Sequence, residues 1–244
     1  MDSGFYAACA GLRAQSQALE VAAHNLANLN TSGFRGQQTS FQSVLALARP
    51  IASNVLNAAT NNFGVLEGTH VDLQPGSLLA TGNLLDVGIE GNGFFAIQTA
   101  QGTRYTRNGN FRVAQTGELT TAAGDPVLGE SGVIRVPAGT VSISPDGTLS
   151  VNRAVAGKIS LVEFVPGTRV LSEGDALLNA PSESTSPARS ASLRQGTLES
   201  SNVNAVGGVM SLIAVQRQAE MMQRALSLFH TEFNRIAAND LPHV

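Results

Sequence analysis

From Ala205 to Ile236 the chain reads AVGGVMSLIAVQRQAEMMQRALSLFHTEFNRI. Small and apolar residues recur here at steps of three and four, at Ala205, Gly208, Leu212, Val215, Ala219, Met222, Leu226, Phe229, Phe233 and Ile236. This spacing is a heptad seam, the pattern by which a helix supercoils against a partner helix. Three favourable N-cap residues, Ser200, Ser201 and Asn202, precede the seam and predict where the helix begins.

The other end of the chain carries a stripe with the same spacing. Its members are Phe5, Ala8, Leu12, Gln15, Leu19, Ala22, Leu26 and Leu29. Taken singly, each stripe is equally typical of an ordinary amphipathic helix that faces a protein core. Two stripes around a strand-rich middle favour a different arrangement. The predicted fold class is α+β, in which long N- and C-terminal helices form a coiled-coil stalk around an inserted antiparallel β domain.

The middle of the chain alternates short apolar runs with turn signals, which is typical of an antiparallel sheet or a barrel-like β domain. Asn108-Gly109 predicts a hairpin turn because both residues tolerate a positive φ, and Asp146-Gly147 predicts another. We predict terminal helices at residues 1–33 and 196–244 that form an inner coiled-coil core, and a connecting arm at 34–75. A β-rich outer domain follows at 76–180 and a return linker at 181–195. Residues 41–65 are either helical or extended.

Composition excludes several classes of protein. The net charge is −3, only 14% of residues are charged and Lys158 is the only lysine, so no basic patch indicates nucleic-acid binding. No apolar run approaches the ~20 residues that cross a bilayer, so we expect no membrane insertion. The N-terminus lacks the basic segment of a cleaved secretory signal. The single cysteine, Cys9, excludes an internal disulfide and a cysteine-based zinc site.

No motif in the chain indicates catalysis. Gly91-Asn92-Gly93 lacks the third glycine of a dinucleotide loop and is better explained by a turn. Ser131 is not in a nucleophile elbow, and Asp86 and Glu90 have no companion base. The four histidines show no ligand spacing; they are His24, His70, His230 and His243. We therefore predict a protein that is not an enzyme and has no catalytic, cofactor or metal site and no small-molecule substrate.

Three collinear motifs resemble the axial proteins of the bacterial flagellum, namely its rod, hook and hook-associated proteins. The first is Asn25-Leu26-Ala27-Asn28 with Gly33-Phe34-Arg35, where His24 replaces a usual Asn. The second includes Leu85-Asp86-Val87 and Tyr105-Thr106-Arg107-Asn108-Gly109. The third is Gly196–Asn204, with Glu199, followed by Gln216 and Arg217. The signature residues are Asn25, Leu26, Ala27, Asn28, Gly33, Phe34, Arg35, Asn108, Gly109, Ser201, Asn202, Val203, Gln216 and Arg217.

This resemblance implies a structural component of the flagellar rod. Its terminal helices would polymerise into the drive shaft that transmits torque through the periplasm to the hook. The chain looks most like the proximal rod protein next to the distal rod, and the distal rod protein is the alternative. The implied partners are proximal and distal rod proteins, copies of itself and the flagellar export apparatus. The implied location is the periplasmic rod of the basal body, reached without a cleaved signal peptide.

The seams predict which residues form the assembly interface. They are Phe5, Leu12, Leu19, Leu26, Leu29, Leu212, Val215, Met222, Leu226, Phe229, Phe233 and Ile236. Two rival interpretations predict different observations. A secreted β-rich surface protein would keep its function without residues 1–30, and an enzyme would show a deep pocket lined by titratable groups.

Overall fold

The computed structural model of the chain describes residues 2–43 and 64–240. Helix α1 spans Asp2–Ala27 and helix α2 spans Ala205–Asp240. The strands are β1 Gln37–Ser43, β2 Gly64–Val71, β3 Leu78–Ala80, β4 Val87–Glu90, β5 Phe94–Thr99, β6 Gly102–Thr106, β7 Arg112–Val113, β8 Leu119–Thr120, β9 Leu128–Gly129, β10 Gly132–Val133, β11 Val141–Ile143, β12 Thr148–Val151, β13 Ala154–Lys158, β14 Leu161–Phe164, β15 Leu171–Ser172, β16 Leu177–Asn179, β17 Thr185–Pro187, β18 Ser192–Gln195 and β19 Thr197–Glu199. None of the helices in these residues is long and apolar enough to cross a membrane.

The chain divides into two compact units. Unit 1 contains the described parts of Met1–Leu26, Gln37–Thr69 and Ala205–Val244, and unit 2 contains Ala27–Gly36 and His70–Asn204. Strands β1 and β2 pair in unit 1, at the two ends of the predicted connecting arm. Most of the 41–65 segment, for which helical and extended conformations were both predicted, falls outside the described residues.

Unit 2 consists of small antiparallel sheets around two apolar clusters. The larger cluster includes Phe95, Ile97, Leu119 and Leu149, all almost fully buried. The smaller one lies around Phe164, whose ring contacts those of Phe94 and Tyr105. The widest sheet has six strands in the order β15-β16-β6-β5-β14-β17.

The last strands of unit 2 return to its first ones. Strand β18 pairs with β4, with Leu193 opposite Ile89, and β19 pairs with β3, with Leu198 opposite Leu79. Both pairings are antiparallel and join segments more than 100 residues apart in the sequence. The chain therefore closes unit 2 just before α2 begins.

The predicted fold class, a coiled-coil stalk of long terminal helices around a β insertion, is wrong. The described chain is mostly β-structure, and its N-terminal helix of 26 residues is ten residues shorter than the C-terminal one of 36. A coiled coil needs large apolar knobs at its buried positions. Among the described side chains of α1, the buried ones are instead mainly small: Ala14, Ala18 and Ala22, beside Gln15.

The contacts between the two helices of unit 1 differ from knob-and-hole packing. Gln15 Nε2 donates a hydrogen bond of 2.9 Å to the carbonyl oxygen of Val215. A Cβ built on Gly11 would lie 3.2 Å from the Met222 methyl carbon. The partner number rises from 215 to 222 as the α1 number falls, so the helices run antiparallel here. At these two positions a polar hydrogen bond and a small residue therefore lie between the helices.

Of the two predicted hairpin turns, the structure has one and lacks the other. Asp146-Gly147 connects β11 and β12 with a φ of 89° at the glycine, which confirms that turn. The prediction at Asn108-Gly109 is wrong, because neither residue has a positive φ and β6 pairs with β5 and β16. Gly109 is needed for another reason: a Cβ there would lie 1.8 Å from the Val87 carbonyl oxygen.

Candidate functional site

A buried ion triad joins the three signature motifs within unit 2. Arg35 Nη2 lies 2.6 Å from Glu199 Oε1, and Arg107 Nη1 lies 3.0 Å from Glu199 Oε2. Each of the three side chains is about 1% exposed. Arg35 follows the N-terminal signature loop, Arg107 follows β6, and Glu199 ends β19. The triad thus connects residues from the beginning, middle and end of the chain.

Backbone groups complete the environment of the triad. The Gly76 amide donates a 2.6 Å hydrogen bond to Glu199 Oε1, and Arg107 Nη2 donates a 2.8 Å bond to the Gly91 carbonyl. The Arg107 guanidinium also lies over the Phe94 ring, 5.0 Å from its centroid. Among the described residues, Arg35 Nε, Arg35 Nη1 and Arg107 Nε have no hydrogen-bond partner. The triad carries one net positive charge.

The electrostatics of the triad favour a structural role. Burial lowers the pKa of Arg107; the Glu199 carboxylate opposes this change, and the nearby Arg35 charge adds to it. An arginine stays protonated in proteins even so, and therefore does not serve as a proton donor or acceptor. Both Glu199 oxygens are engaged by donors. The arrangement holds segments together, since removing one member leaves a buried charge unpaired.

Gly33 brings the N-terminal signature against the middle motif. Its amide donates a 2.7 Å hydrogen bond to the Glu199 carbonyl, and its φ is 68°. A Cβ at this position would lie 2.2 Å from the Asn108 backbone nitrogen. Only glycine combines a left-handed conformation with so close a backbone approach.

The Asn202 side chain forms hydrogen bonds with three backbone groups near the end of unit 2. Its Oδ1 accepts a 2.7 Å hydrogen bond from the Gly36 amide, and its Nδ2 donates 3.0 Å bonds to the carbonyls of Asp72 and Gln74. The prediction of an N-cap here is wrong, because α2 begins at Ala205 and Ser200 Oγ lies 2.9 Å from Ser77 Oγ. Asn202 instead fixes the path of the chain before the helix.

Asn25 has the corresponding role in unit 1. Its Nδ2 donates a 2.7 Å hydrogen bond to the Gln37 carbonyl, and its Oδ1 accepts a 2.8 Å bond from the Gln37 amide. This reciprocal pair ties the last turns of α1 to the start of β1. Thr31 Oγ1 donates a 3.1 Å bond to Asn28 Oδ1 within the signature loop of unit 2. The polar signature residues are therefore anchors of the chain path.

The predicted interface residues lie on the helices and beside them. Eight of them are half-buried: Leu12, Leu19, Leu26, Leu29, Leu212, Val215, Met222 and Leu226. The other four predicted residues lie within the two helices, and their side chains are outside the described part of the structure. They are Phe5, Phe229, Phe233 and Ile236. Their role in assembly stays a prediction.

Helix α2 also carries an exposed apolar surface that the sequence analysis missed. We call it the exposed face, and its residues are Val206, Met210, Ile213, Arg217, Met221, Arg224 and Leu228. Its apolar members are between 46% and 71% exposed. Together with Arg217 and Arg224 they recur at steps of three and four, a signal that the stronger seam concealed. The pairing of Glu199 with Arg35 and Arg107 was missed as well, although all three lie in the recognised motifs.

Three family profiles match the chain in sequence order. Residues 5–35 match the flagella basal body rod protein profile, and residues 88–151 match the D1 domain of the flagellar hook protein FlgE/F/G. Residues 194–230 match the C-terminal profile of the flagellar basal body rod FlgEFG protein. These matches contain all three members of the ion triad.

Curated relatives match over nearly the whole chain. The flagellar basal-body rod protein FlgF of Escherichia coli K12 is 36% identical over 93% of this chain and 94% of its own length. FlgF of Caulobacter vibrioides is 31% identical, over 97% and 98%. The flagellar basal-body rod protein FlgG of Bacillus subtilis is 32% identical, over 87% and 89%.

The chain belongs to the family of flagellar basal-body rod proteins. Within the family it is most like FlgF. It is a structural component of the flagellar rod and is located in the basal body. Other rod components are its partners, and the family is one of structural proteins rather than a class of enzymes.

Proposed function

We propose that the protein forms part of the proximal rod and polymerises through its two terminal helices. The observation that supports this is the surface of α2. The helix has 36 residues and is therefore about 54 Å long. Its seam is only half-buried, and its exposed face presents large apolar side chains to solvent. Apolar surface of this extent on a subunit marks a site of protein association.

Polymerisation of such subunits gives a shaft. Contacts between two different surfaces of neighbouring subunits produce an open helical filament when they do not close a ring. Terminal helices packed side by side would form the inner part of that filament, with the β-rich segment at 76–180 outside. Close-packed interiors have low compressibility and transmit strain, which suits a part that carries torque to the hook.

The proposal includes the route to the rod. The subunit would reach it through the flagellar export apparatus, with both terminal helices poorly ordered until they join their neighbours. Segments that cannot bury enough apolar surface alone gain order on binding. The half-buried seam and the exposed face of α2 support this part of the proposal.

The distal rod is the second candidate location, because FlgG of Bacillus subtilis matches 87% of the chain. A subunit-resolved map of the rod would separate the two. We expect this chain on the motor side of the distal section, with residues 205–236 at small radius. Its presence throughout the distal section would assign it to the distal rod instead.

Leu226→Asp tests assembly through the helices. The change places a carboxylate in the seam, and burying it unpaired costs several kcal/mol per subunit. We expect rods to be absent from cells with this variant, by electron microscopy of basal bodies, while the β-rich unit melts as in the parent. Gln223→Asp, on an exposed position of the same helix, is the matched control and should assemble. Normal rods with Leu226→Asp would refute the proposal.

A further inference from the structure

The sequence contains two Asn-Gly pairs, Asn92-Gly93 and Asn108-Gly109. An asparagine that precedes glycine can lose its side-chain ammonia without an enzyme, because glycine has no Cβ to shield its backbone nitrogen. The reaction also requires a side chain that is free to rotate and a backbone with room to move. The structure places the two pairs in different surroundings, and these surroundings indicate which pair reacts.

Asn92 meets these requirements. It is exposed in the turn between β4 and β5, outside any helix or strand. Among the residues that the structure describes, neither its side chain nor the Gly93 amide forms a hydrogen bond. Gly93 is buried on its Cα side, where a Cβ would lie 3.1 Å from that of Ala191. The exposed and mobile partner in the reaction is therefore the Asn92 carboxamide.

The buried ion triad supplies a positive charge next to this turn. Arg107 Nη2 donates a 2.8 Å hydrogen bond to the Gly91 carbonyl, and the Arg107 guanidinium lies 5.0 Å from the centroid of the Phe94 ring. These two contacts flank Asn92-Gly93 in the sequence. The reaction passes through an anion, because the Gly93 nitrogen gives up its proton and negative charge moves to the side-chain oxygen. A fixed positive charge nearby stabilises such an anion.

Asn108, in contrast, is held in place. Its Oδ1 accepts a 3.1 Å hydrogen bond from the Asn110 amide. The backbone here is also closely covered. A Cβ on Gly33 would lie 2.2 Å from the Asn108 nitrogen, and one on Gly109 would lie 1.8 Å from the Val87 carbonyl oxygen. Reaction at Asn108 would have to break this hydrogen bond and shift a backbone that has no space to move.

We propose that Asn92 is a site of spontaneous modification in the folded subunit, at which the asparagine becomes aspartate or isoaspartate, and that Asn108 is protected. The Gly93 nitrogen attacks Asn92 Cγ, so that a C–N bond forms and the Cγ–Nδ2 bond breaks. Ammonia leaves with the proton from Gly93. Water then adds to one of the two carbonyl carbons of the cyclic imide and opens its C–N bond. The product carries one more negative charge than the parent chain.

Ageing of the purified full-length subunit tests this proposal. The protein is incubated at neutral and at mildly alkaline pH, and peptide mapping by mass spectrometry follows both Asn-Gly pairs. We expect conversion at Asn92 to be at least about tenfold faster than at Asn108, a difference in barrier of about 1.4 kcal/mol. Conversion at Asn92 should become faster as the pH rises, because the attacking nitrogen must lose its proton. Equal rates at the two asparagines would overturn the proposal.

The same incubation in guanidinium chloride separates the effect of structure from that of local sequence. Unfolding removes the contacts that hold Asn108, so we expect the two rates to approach each other. An unchanged ratio of rates in the unfolded chain would overturn the proposal, because the local sequence would then set it. An intact Asn92 in the folded subunit, with both pairs converted in the unfolded chain, would overturn it as well.

Two variants identify the source of the acidic form, which isoelectric focusing separates from the parent. Asn92→Gln keeps the amide but lengthens the side chain, so that attack would have to close a larger ring. We expect this variant to lose most of the acidic form. Asn30→Gln makes the same exchange at an exposed asparagine that precedes threonine, and it should acidify at the parental rate. Acidification of Asn92→Gln at the parental rate would overturn the proposal.

Discussion

Glu199 is the residue on which the junction in unit 2 depends most. Its carboxylate accepts hydrogen bonds from Arg35, Arg107 and the Gly76 amide, and its side chain is about 1% exposed. Glu199→Gln keeps the shape but leaves both guanidinium groups buried without a counter-charge. We expect it to lower the free energy of unfolding by about 3–5 kcal/mol, the usual result of breaking a buried pair. Denaturant unfolding of the free subunit measures this.

Glu173→Gln is the matched control. Glu173 pairs with Arg104 near the surface, where its side chain is 37% exposed, and this hydrogen bond lowers the pKa of its carboxyl. Exposed pairs contribute about 0–1 kcal/mol. An effect of Glu199→Gln no larger than that of Glu173→Gln would contradict the role of the triad.

Gly109 provides a second residue-scale prediction. A methyl group there would lie 1.8 Å from the Val87 carbonyl oxygen, so the backbone must move to admit it. We expect Gly109→Ala to destabilise the subunit by at least about 1–3 kcal/mol, as overpacking does. Gly157→Ala is the control, because the nearest atom would be Ile134 Cγ2 at 3.4 Å. Thermal melting compares the two, and equal melting temperatures would be evidence against a steric need for Gly109.

The sequence identified several of these residues but not what they do. Asn108-Gly109 is a strong local turn signal, yet β6 finds its partners in β5 and β16. Local propensity does not show that the backbone at Val87, 22 residues earlier, passes close to Gly109. The pairing of Arg35 with Glu199 spans 164 positions and leaves no periodic pattern for the same reason.

At the scale of elements, periodicity predicted both helices but not how they pack. Apolar residues at steps of three and four define a helix side, and they do not say how closely a partner approaches. Among the described side chains of α1, the small residues Ala14, Ala18 and Ala22 are buried together with Gln15, while Leu12 and Leu19 are half-buried. The coiled-coil prediction assumed that the largest apolar residues lie deepest.

The hairpin between β12 and β13 offers a test at the same scale. Its turn residues, Asn152 and Arg153, have φ values of 50° and 71°. Such turns favour glycine at the second position. The left-handed conformation costs a non-glycine residue about 1–2 kcal/mol, whereas glycine adds roughly 0.5–1 kcal/mol of unfolded-state entropy.

Relief of the backbone strain therefore exceeds the entropy cost. We expect Arg153→Gly to stabilise unit 2 by up to about 1 kcal/mol, measured by denaturant unfolding. Arg112→Gly, at an exposed strand position without a positive φ, is the control and should destabilise it. Destabilisation by both variants would show that the hairpin does not hold Arg153 under strain.

At the scale of the whole molecule, unit 2 is closed by segments from both ends of the sequence. Residues 27–36, strand β18 and strand β19 all belong to it, so the unit cannot be completed until residue 199 is in place. The family resemblance predicted a rod protein, which the relatives confirm. It did not show that the signature motifs meet at one buried junction.

Amide hydrogen exchange on the free subunit and on assembled rods tests most directly whether the terminal helices are ordered by assembly. In the free subunit we expect fast exchange along α1 and α2 and slow exchange in the sheets of unit 2. In rods both helices should become protected, because neighbouring subunits cover their apolar sides. Slow exchange throughout both helices of a free subunit that does not polymerise would contradict the account.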